Sequence, residues 1–136
     1  MPRSAHLDRF VLDHLPPPAQ QPDRIFDRPE LAYPERLNAG AELLRRALAA
    51  AGPEARALID HDHEFSWGRV DAISSRMARI LVEDLGLVPG NRVLLHGPNS
   101  AWTALAWFAI LKAGGVVVAT MPMLRAAELA IVVNKA

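Results

Sequence analysis

Between Ala101 and Met123 the chain is apolar almost without relief, and its two interruptions, Lys112 and the pair Gly114-Gly115, decide what it can become. A bilayer-spanning helix needs about 20 continuous apolar residues, which neither side of the break supplies. The run divides instead into an apolar helix from 101 to about 112 and a short strand, Val116-Val117-Val118-Ala119. Gly114-Gly115 ends the helix, and Met121-Pro122 turns the chain after the strand. A helix apolar nearly all round belongs at the centre of a packed structure. A continuously apolar strand belongs inside a parallel sheet covered on both faces. Upstream, Arg92-Val93-Leu94-Leu95-His96 is a second strand of the same kind. Strand, helix and strand in that order imply a right-handed crossover and a parallel sheet, so the fold class is α/β.

The preceding residues fit that class. Asn38 caps a helix over 39–51, which Gly52-Pro53 stops. Leu37, Leu44, Leu48 and Ala51 share one face of it, with Glu42, Arg45 and Arg46 nearer solvent. Strands at 57–60 and 64–67 flank the short polar segment His61-Asp62-His63, which reads as a hairpin. Ser66 caps a helix over 67–85 with Val70, Ile73, Met77, Ile80, Leu81 and Leu85 at helical spacing. Gly86 ends it, and Pro89-Gly90 makes a turn. Asn99 or Ser100 caps the apolar helix, and a last helix begins near Arg125 and is still running at Ala136. Prolines recur too often before 37 for a helix to persist beyond a short one near 5–14. Phe10, Leu15, Ile25, Phe26, Leu31 and Tyr33 make this segment an arm laid along an apolar surface. The expected organisation is an arm at 1–37 and a partial α/β subdomain at 38–136.

Too few strands are present to cover an all-apolar helix and two all-apolar strands, and so small a sheet leaves open edges. Burial demand outruns the elements, which predicts part of a larger fold that self-associates when isolated. The alternative is a stand-alone interaction module that oligomerises through its open sheet edge. With 15 basic and 15 acidic residues the chain has no overall field to attract nucleic acid or an anionic membrane. It has no cysteine, which excludes thiol catalysis and thiolate metal sites. The first residues lack the apolar stretch of a secretory signal, and a cytoplasmic location is expected.

Few residues carry chemistry. Adjacent residues of a tight turn rarely converge on one ion, so His61-Asp62-His63-Glu64 reads as a solvated hairpin tip, with no metal expected. His96 at a strand end is a residue type suited to proton transfer, but without an evident partner it reads as structural. Trp102 and Trp107 read as core. Neither the segment 86–90 nor Gly97-Pro98-Asn99-Ser100 resembles a phosphate cradle. Arg125 lies just past a strand end, where α/β proteins bind ligands, and a guanidinium suits phosphate.

Phe65-Ser66-Trp67-Gly68-Arg69-Val70, then Arg92-Val93-Leu94-Leu95, Pro98-Asn99-Ser100 and Leu111-Lys112-Ala113-Gly114-Gly115-Val116 follow one another in order. Together they resemble the opening core motifs of the adenylate-forming superfamily, which includes acyl- and aryl-CoA ligases, luciferases and peptide synthetase adenylation domains. The resemblance covers residues from about 37 to the end. Leu15-Pro16-Pro17-Pro18, Pro29-Glu30-Leu31, Tyr33-Pro34-Glu35-Arg36-Leu37-Asn38 and Met121-Pro122-Met123-Leu124-Arg125 resemble aromatic-acid CoA ligases of the 2-aminobenzoate and benzoate type. The resemblance implies that a carboxylate attacks the α-phosphate of ATP, giving an acyl-adenylate and pyrophosphate, and that the CoA thiol then displaces AMP. ATP, Mg and CoA are thus implied for the parent enzyme, with a small aromatic acid as substrate and the rest of the ligase chain as partner. The family's phosphate loop, ribose-binding aspartate and C-terminal lysine have no counterpart here. No catalytic residue carries over, and the fragment alone is expected to be inactive and to bind no cofactor. Arg125 is the one residue implied near a cofactor, the CoA nucleotide. Arg69 departs from the family, which usually has an acidic residue there to close a capping box with Ser66.

Overall fold

A computed structural model describes residues 4–23 and 25–136. Its helices are α1 (Phe10–Asp13), α2 (Ala39–Ala51), α3 (Trp67–Glu83), α4 (Ala101–Lys112) and α5 (Ala126–Lys135), with short 3-10 turns at Pro18–Gln20 and Pro29–Leu31. Its strands are β1 (Arg56–Ile59), β2 (Glu64–Ser66), β3 (Arg92–His96) and β4 (Val116–Thr120). β1 and β2 form the antiparallel hairpin, with Leu58 opposite Phe65. β3 and β4 pair in parallel, in register from Arg92 opposite Val116 to His96 opposite Thr120. The fold is α/β, as its alternating pattern requires.

α4 is the centre of the packing. It lies against α3, α2 and both strands of the parallel pair, which is where an all-apolar helix must go. Leu44, Phe65, Val70, Ala101 and Leu105 form one buried cluster joining α2, the hairpin, α3 and α4. Burying a leucine fully contributes roughly 2–3 kcal/mol, so Leu44 and Leu105 are major contributors. α2 approaches α4 closely because Gly40 has no side chain: a Cβ there would lie 2.9 Å from that of Leu111.

Polar contacts finish this interface. The Asn38 side-chain oxygen accepts from the Ala41 amide (3.0 Å), capping α2. Its amide nitrogen donates to the Leu111 (2.7 Å) and Lys112 (3.3 Å) carbonyls at the other end of α4. One side chain thus serves two helix ends. Lys112 reaches across to α3, where its ammonium donates to the Asp71 carboxylate (2.6 Å), the Asp71 carbonyl (3.0 Å) and the Ser75 hydroxyl (2.9 Å).

Several expectations need correction. The helix near 5–14 shrinks to Phe10–Asp13, because residues 7 and 8 extend to donate to the Pro89 carbonyl and Asp8 then accepts from the Phe10 amide. The arm is only partly laid on an apolar surface: Ile25 and Phe26 are 70% and 60% exposed, and the Phe26 ring meets Tyr33 of the same arm edge-on at 6.3 Å. The parallel strands are not covered on both faces; Leu94 and Ala119 are exposed. Leu37 and Ala51 face solvent, whereas the Glu42 side chain is mostly covered by Arg45 and Arg46, to which it is bonded. Ile80, on α3, and Leu85, just past its end, follow helical spacing yet are exposed. α3 ends at Glu83, with Gly86 at a positive φ of 66° after it. α5 stops at Lys135. No helix among the described residues is long and apolar enough to cross a membrane.

Candidate functional site

In an open parallel sheet, ligands collect at the carboxyl ends of the strands. Here that end comprises His96, the 97–100 loop, the start of α4, Thr120 and the 121–125 segment. Parallel register sets His96 beside Thr120, and the imidazole Nδ1 lies 3.0 Å from the threonine hydroxyl. This partner was missed in the sequence, although pairing the two strands by their first residues would have found it. The pair ties the strand ends together, and among the described residues no ion pair orients the imidazole.

The loop leading into α4 is closed on itself. The Ser100 hydroxyl accepts from the Thr103 amide (3.2 Å), and the Thr103 hydroxyl donates to the Pro98 carbonyl (2.7 Å). Asp60, at the tip of the hairpin, then reaches the helix: its carboxylate accepts from the Ala101 amide at 2.8 Å. It also accepts from the Asp62 and His63 amides (3.0 and 2.8 Å). The bond from Ala101 does most to hold the Asp60 carboxyl down at about 2, followed by that from Asp62. A helix N-terminus attracts anions through its free amides and dipole. This one is already matched by a carboxylate, which would repel a phosphate. The 86–90 segment fits no better, because Gly90 is buried against the Asp8 carbonyl. The residues present do not fit the phosphates of ATP.

The hairpin tip is not wholly solvated. The His61 and Asp62 side chains are exposed and bond to each other (2.8 Å). His63 turns inward, its Nδ1 3.1 Å from Asp60 and its ring stacked on Phe65 at 5.9 Å. Those partners place the ring proton on Nδ1 and leave Nε2 to accept from the Trp102 indole (3.4 Å). Diverging side chains do not form a metal cluster. Trp102 is 48% exposed and packs edge-on against Phe65, so it is not core. Trp107 is half-buried beside Phe108. The departure at Arg69 has a local reason: its guanidinium lies 5.4 Å over the Phe65 ring. Ser66 still accepts from the Arg69 amide, at a long 3.4 Å.

Arg125 is exposed in the flank just before α5, and its backbone amide donates to Glu128 at 2.8 Å. Among the described residues its guanidinium has no ion-pair partner. A groove of about 310 Å³ lined by Leu81, Leu85, Leu87 and Val93 lies at the opposite end of β3, away from this region.

This α/β core, with one helix end closed by a carboxylate, has the fold of part of the N-terminal domain of adenylate-forming ligases. Residues 45–136 match the pattern of the family described as AMP-binding enzyme, and the chain belongs to that family. Among its relatives, the salicyl-AMP ligase / salicyl-S-ArCP synthetase of Mycobacterium tuberculosis is 45% identical over 64 residues, 47% of this chain and 11% of that one. The FR901469 synthetase of a Dothideomycetidae species is 40% identical over 84 residues, 62% of this chain and a share of that one that rounds to 0%. Among solved structures, apo MbtA of Mycobacterium smegmatis superposes with a TM-score of 0.64 at 36% identity, over 70% of this chain and 18% of that one. The chain therefore spans a small part of the length of each.

Proposed function

We propose that this chain is the N-terminal part of an ATP-dependent ligase that activates a small aromatic carboxylic acid as its acyl-adenylate and passes the acyl group to the CoA thiol. The observation that carries the reading is the family match over 45–136, joined to 45% identity with an enzyme named for salicyl-AMP formation. Within the reaction the acid's carboxylate oxygen bonds to the α-phosphorus as pyrophosphate leaves. The thiol sulfur then bonds to the acyl carbon as AMP leaves. The 136 residues contribute scaffold, with 1–37 as an arm and 38–136 as a partial subdomain, and the chain alone is inactive because its residues do not fit the ATP phosphates. Its lack of cysteine fits a cytoplasmic protein. Isolated, it self-associates through apolar surface such as Ile80, Leu85 and Val133.

Arg125 is proposed to contact a phosphate of the CoA nucleotide, because its guanidinium is exposed beyond the carboxyl end of β4. A second reading has a carrier-protein thiol as acceptor; the relatives named for a salicyl-S-ArCP synthetase and for peptide synthetases favour it.

Acid-dependent ATP–pyrophosphate exchange by the full-length gene product tests the activity. Exchange with salicylate, benzoate or 2-aminobenzoate is expected, and none from the 136-residue chain. Exchange with aliphatic acids alone would overturn the aromatic assignment. Acyl transfer to CoA or to a carrier protein then separates the two acceptors. Arg125→Ala should raise the KM for CoA and leave exchange unchanged; loss of exchange would refute its role.

A further inference from the structure

Arg92, the first residue of β3, is a junction that the strand itself does not require. Its guanidinium pairs with the Asp8 carboxylate, lies 4.5 Å over the Phe10 ring, and donates through Nε to the Ala136 carbonyl beyond α5. Three distant stretches of chain therefore meet on one side chain. Asp8 is held from other directions too. Its carboxylate accepts from Asn91 (2.9 Å), while the Leu7 and Asp8 amides both donate to the Pro89 carbonyl (2.9 and 3.0 Å).

Gly90 is shaped to this seat. Its φ is +97°, and a Cβ would lie 2.2 Å from the Asp8 carbonyl oxygen and 3.0 Å from the His6 Cβ. Gly86 also has a positive φ, +66°, but a Cβ there would meet nothing within 4 Å. One glycine answers only to backbone conformation, and the other also to the arm. α5, meanwhile, has none of the broad packing that joins α3 to α4. An open groove lined by Val132 and Val133 on one side and Leu94 and Val118 on the other separates it from the strands, and the Arg92 bond spans from β3 to its end.

We infer that residues 6–14 are a strap whose seating on Gly90 and Arg92 holds α5 against the parallel strands, so that the strap and α5 loosen together. The coupling follows from sharing one guanidinium. With Asp8 and Phe10 gone, Arg92 loses the anion and the ring that fix its position, and Nε no longer sits opposite the α5 terminus. The residue before α5 is Arg125, so under the proposed ligase reading the strap would also position that guanidinium. The inference itself needs neither ATP nor acid and stands apart from that reading.

Hydrogen exchange of the 136-residue chain, read by mass spectrometry, tests it. Gly90→Ala evicts the strap, Asp8→Ala unpins it while leaving the Gly90 backbone as it is, and Gly86→Ala controls for positive φ. The first two should speed exchange at Leu7, Asp8 and throughout α5 by about tenfold or more, with the β1–β2 amides unchanged. Gly86→Ala should leave the strap and α5 as they were. The inference fails if Asp8→Ala frees the strap while α5 keeps its protection, or leaves the strap itself protected. It fails equally if Gly86→Ala loosens α5 as much as Gly90→Ala. Should Gly90→Ala not fold, Asp8→Ala carries the test alone.

Discussion

Replacing Asn38 separates two jobs that one side chain performs. As an N-cap its oxygen satisfies the Ala41 amide, a contribution of about 1 kcal/mol. As a donor it satisfies the Leu111 carbonyl at 2.7 Å, contributing about another 1 kcal/mol and sparing a half-buried acceptor. Asn38→Ala should therefore cost about 2–3 kcal/mol. In a chain of 136 residues that lowers Tm by roughly 6–15 °C. Asn38→Ser keeps the cap and loses the reach to α4, and should cost about 1 kcal/mol. Asn38→Asp is the decisive variant. Aspartate caps as well as asparagine, but it places a carboxylate against two carbonyls at the negative end of α4. It should cost about 2 kcal/mol despite being neutral as a cap. Urea unfolding followed by circular dichroism at 222 nm measures all three. An Asn38→Asp chain as stable as the parent would show that the bonds to α4 contribute nothing.

Leu105 is fully buried and Leu43 half-exposed on a neighbouring helix. Leu105→Ala should cost about 2–5 kcal/mol and Leu43→Ala within about 1 kcal/mol, so equal shifts in the urea midpoint would contradict the core assignment. Acid should also weaken the fold. Asp60, bonded by the Ala101 amide above all, and Glu42, bonded by Arg45 and then Arg46, are held at about 2 against ordinary values of 3.8 and 4.5. A carboxyl depressed by folding stabilises the native state above its unfolded value, and that stability is lost as pH falls toward the folded one. Midpoints should hold steady above about pH 5 and fall between about pH 4 and 2, with a shallower fall in Asp60→Asn. An identical acid slope in that variant would count against the Asp60 bonds.

Local chemistry was legible wherever a residue acts on its own neighbourhood. Asn38 and Gly52 bound α2 as expected, and Ser100 with Gly114 bound α4, because caps and breakers act within one turn. The hairpin and the parallel pair followed from short apolar runs and their connections. What periodicity could not show was contact at a distance. Asp60 reaches Ala101 across 41 residues, and Asn38 reaches Leu111 across 73. An aspartate in a turn carries no mark of the helix it will cap. Exposure failed for a related reason. Trp102, Ile80 and Leu85 are hydrophobic at helical spacing, yet burial needs a second surface, and spacing says nothing about whether one arrives. At the candidate site, the closure of the α4 N-terminus by the Asp60 carboxylate was not readable.

The centrality of α4 has a cost that its polar contacts resolve. A cylinder that is apolar on every side gains the same burial at many rotations about its axis, so the hydrophobic effect alone leaves its angular phase undetermined. Here that phase is keyed at both ends. Asp60 holds the first amide, Lys112 bonds to Asp71 and Ser75, and Asn38 holds the last carbonyls. These contacts act as keyways on a shaft: small in energy, decisive in angle. Removing them together would leave a chain that is still collapsed and helical, but in which Trp102 and Trp107 sample several orientations and their near-ultraviolet dichroism fades.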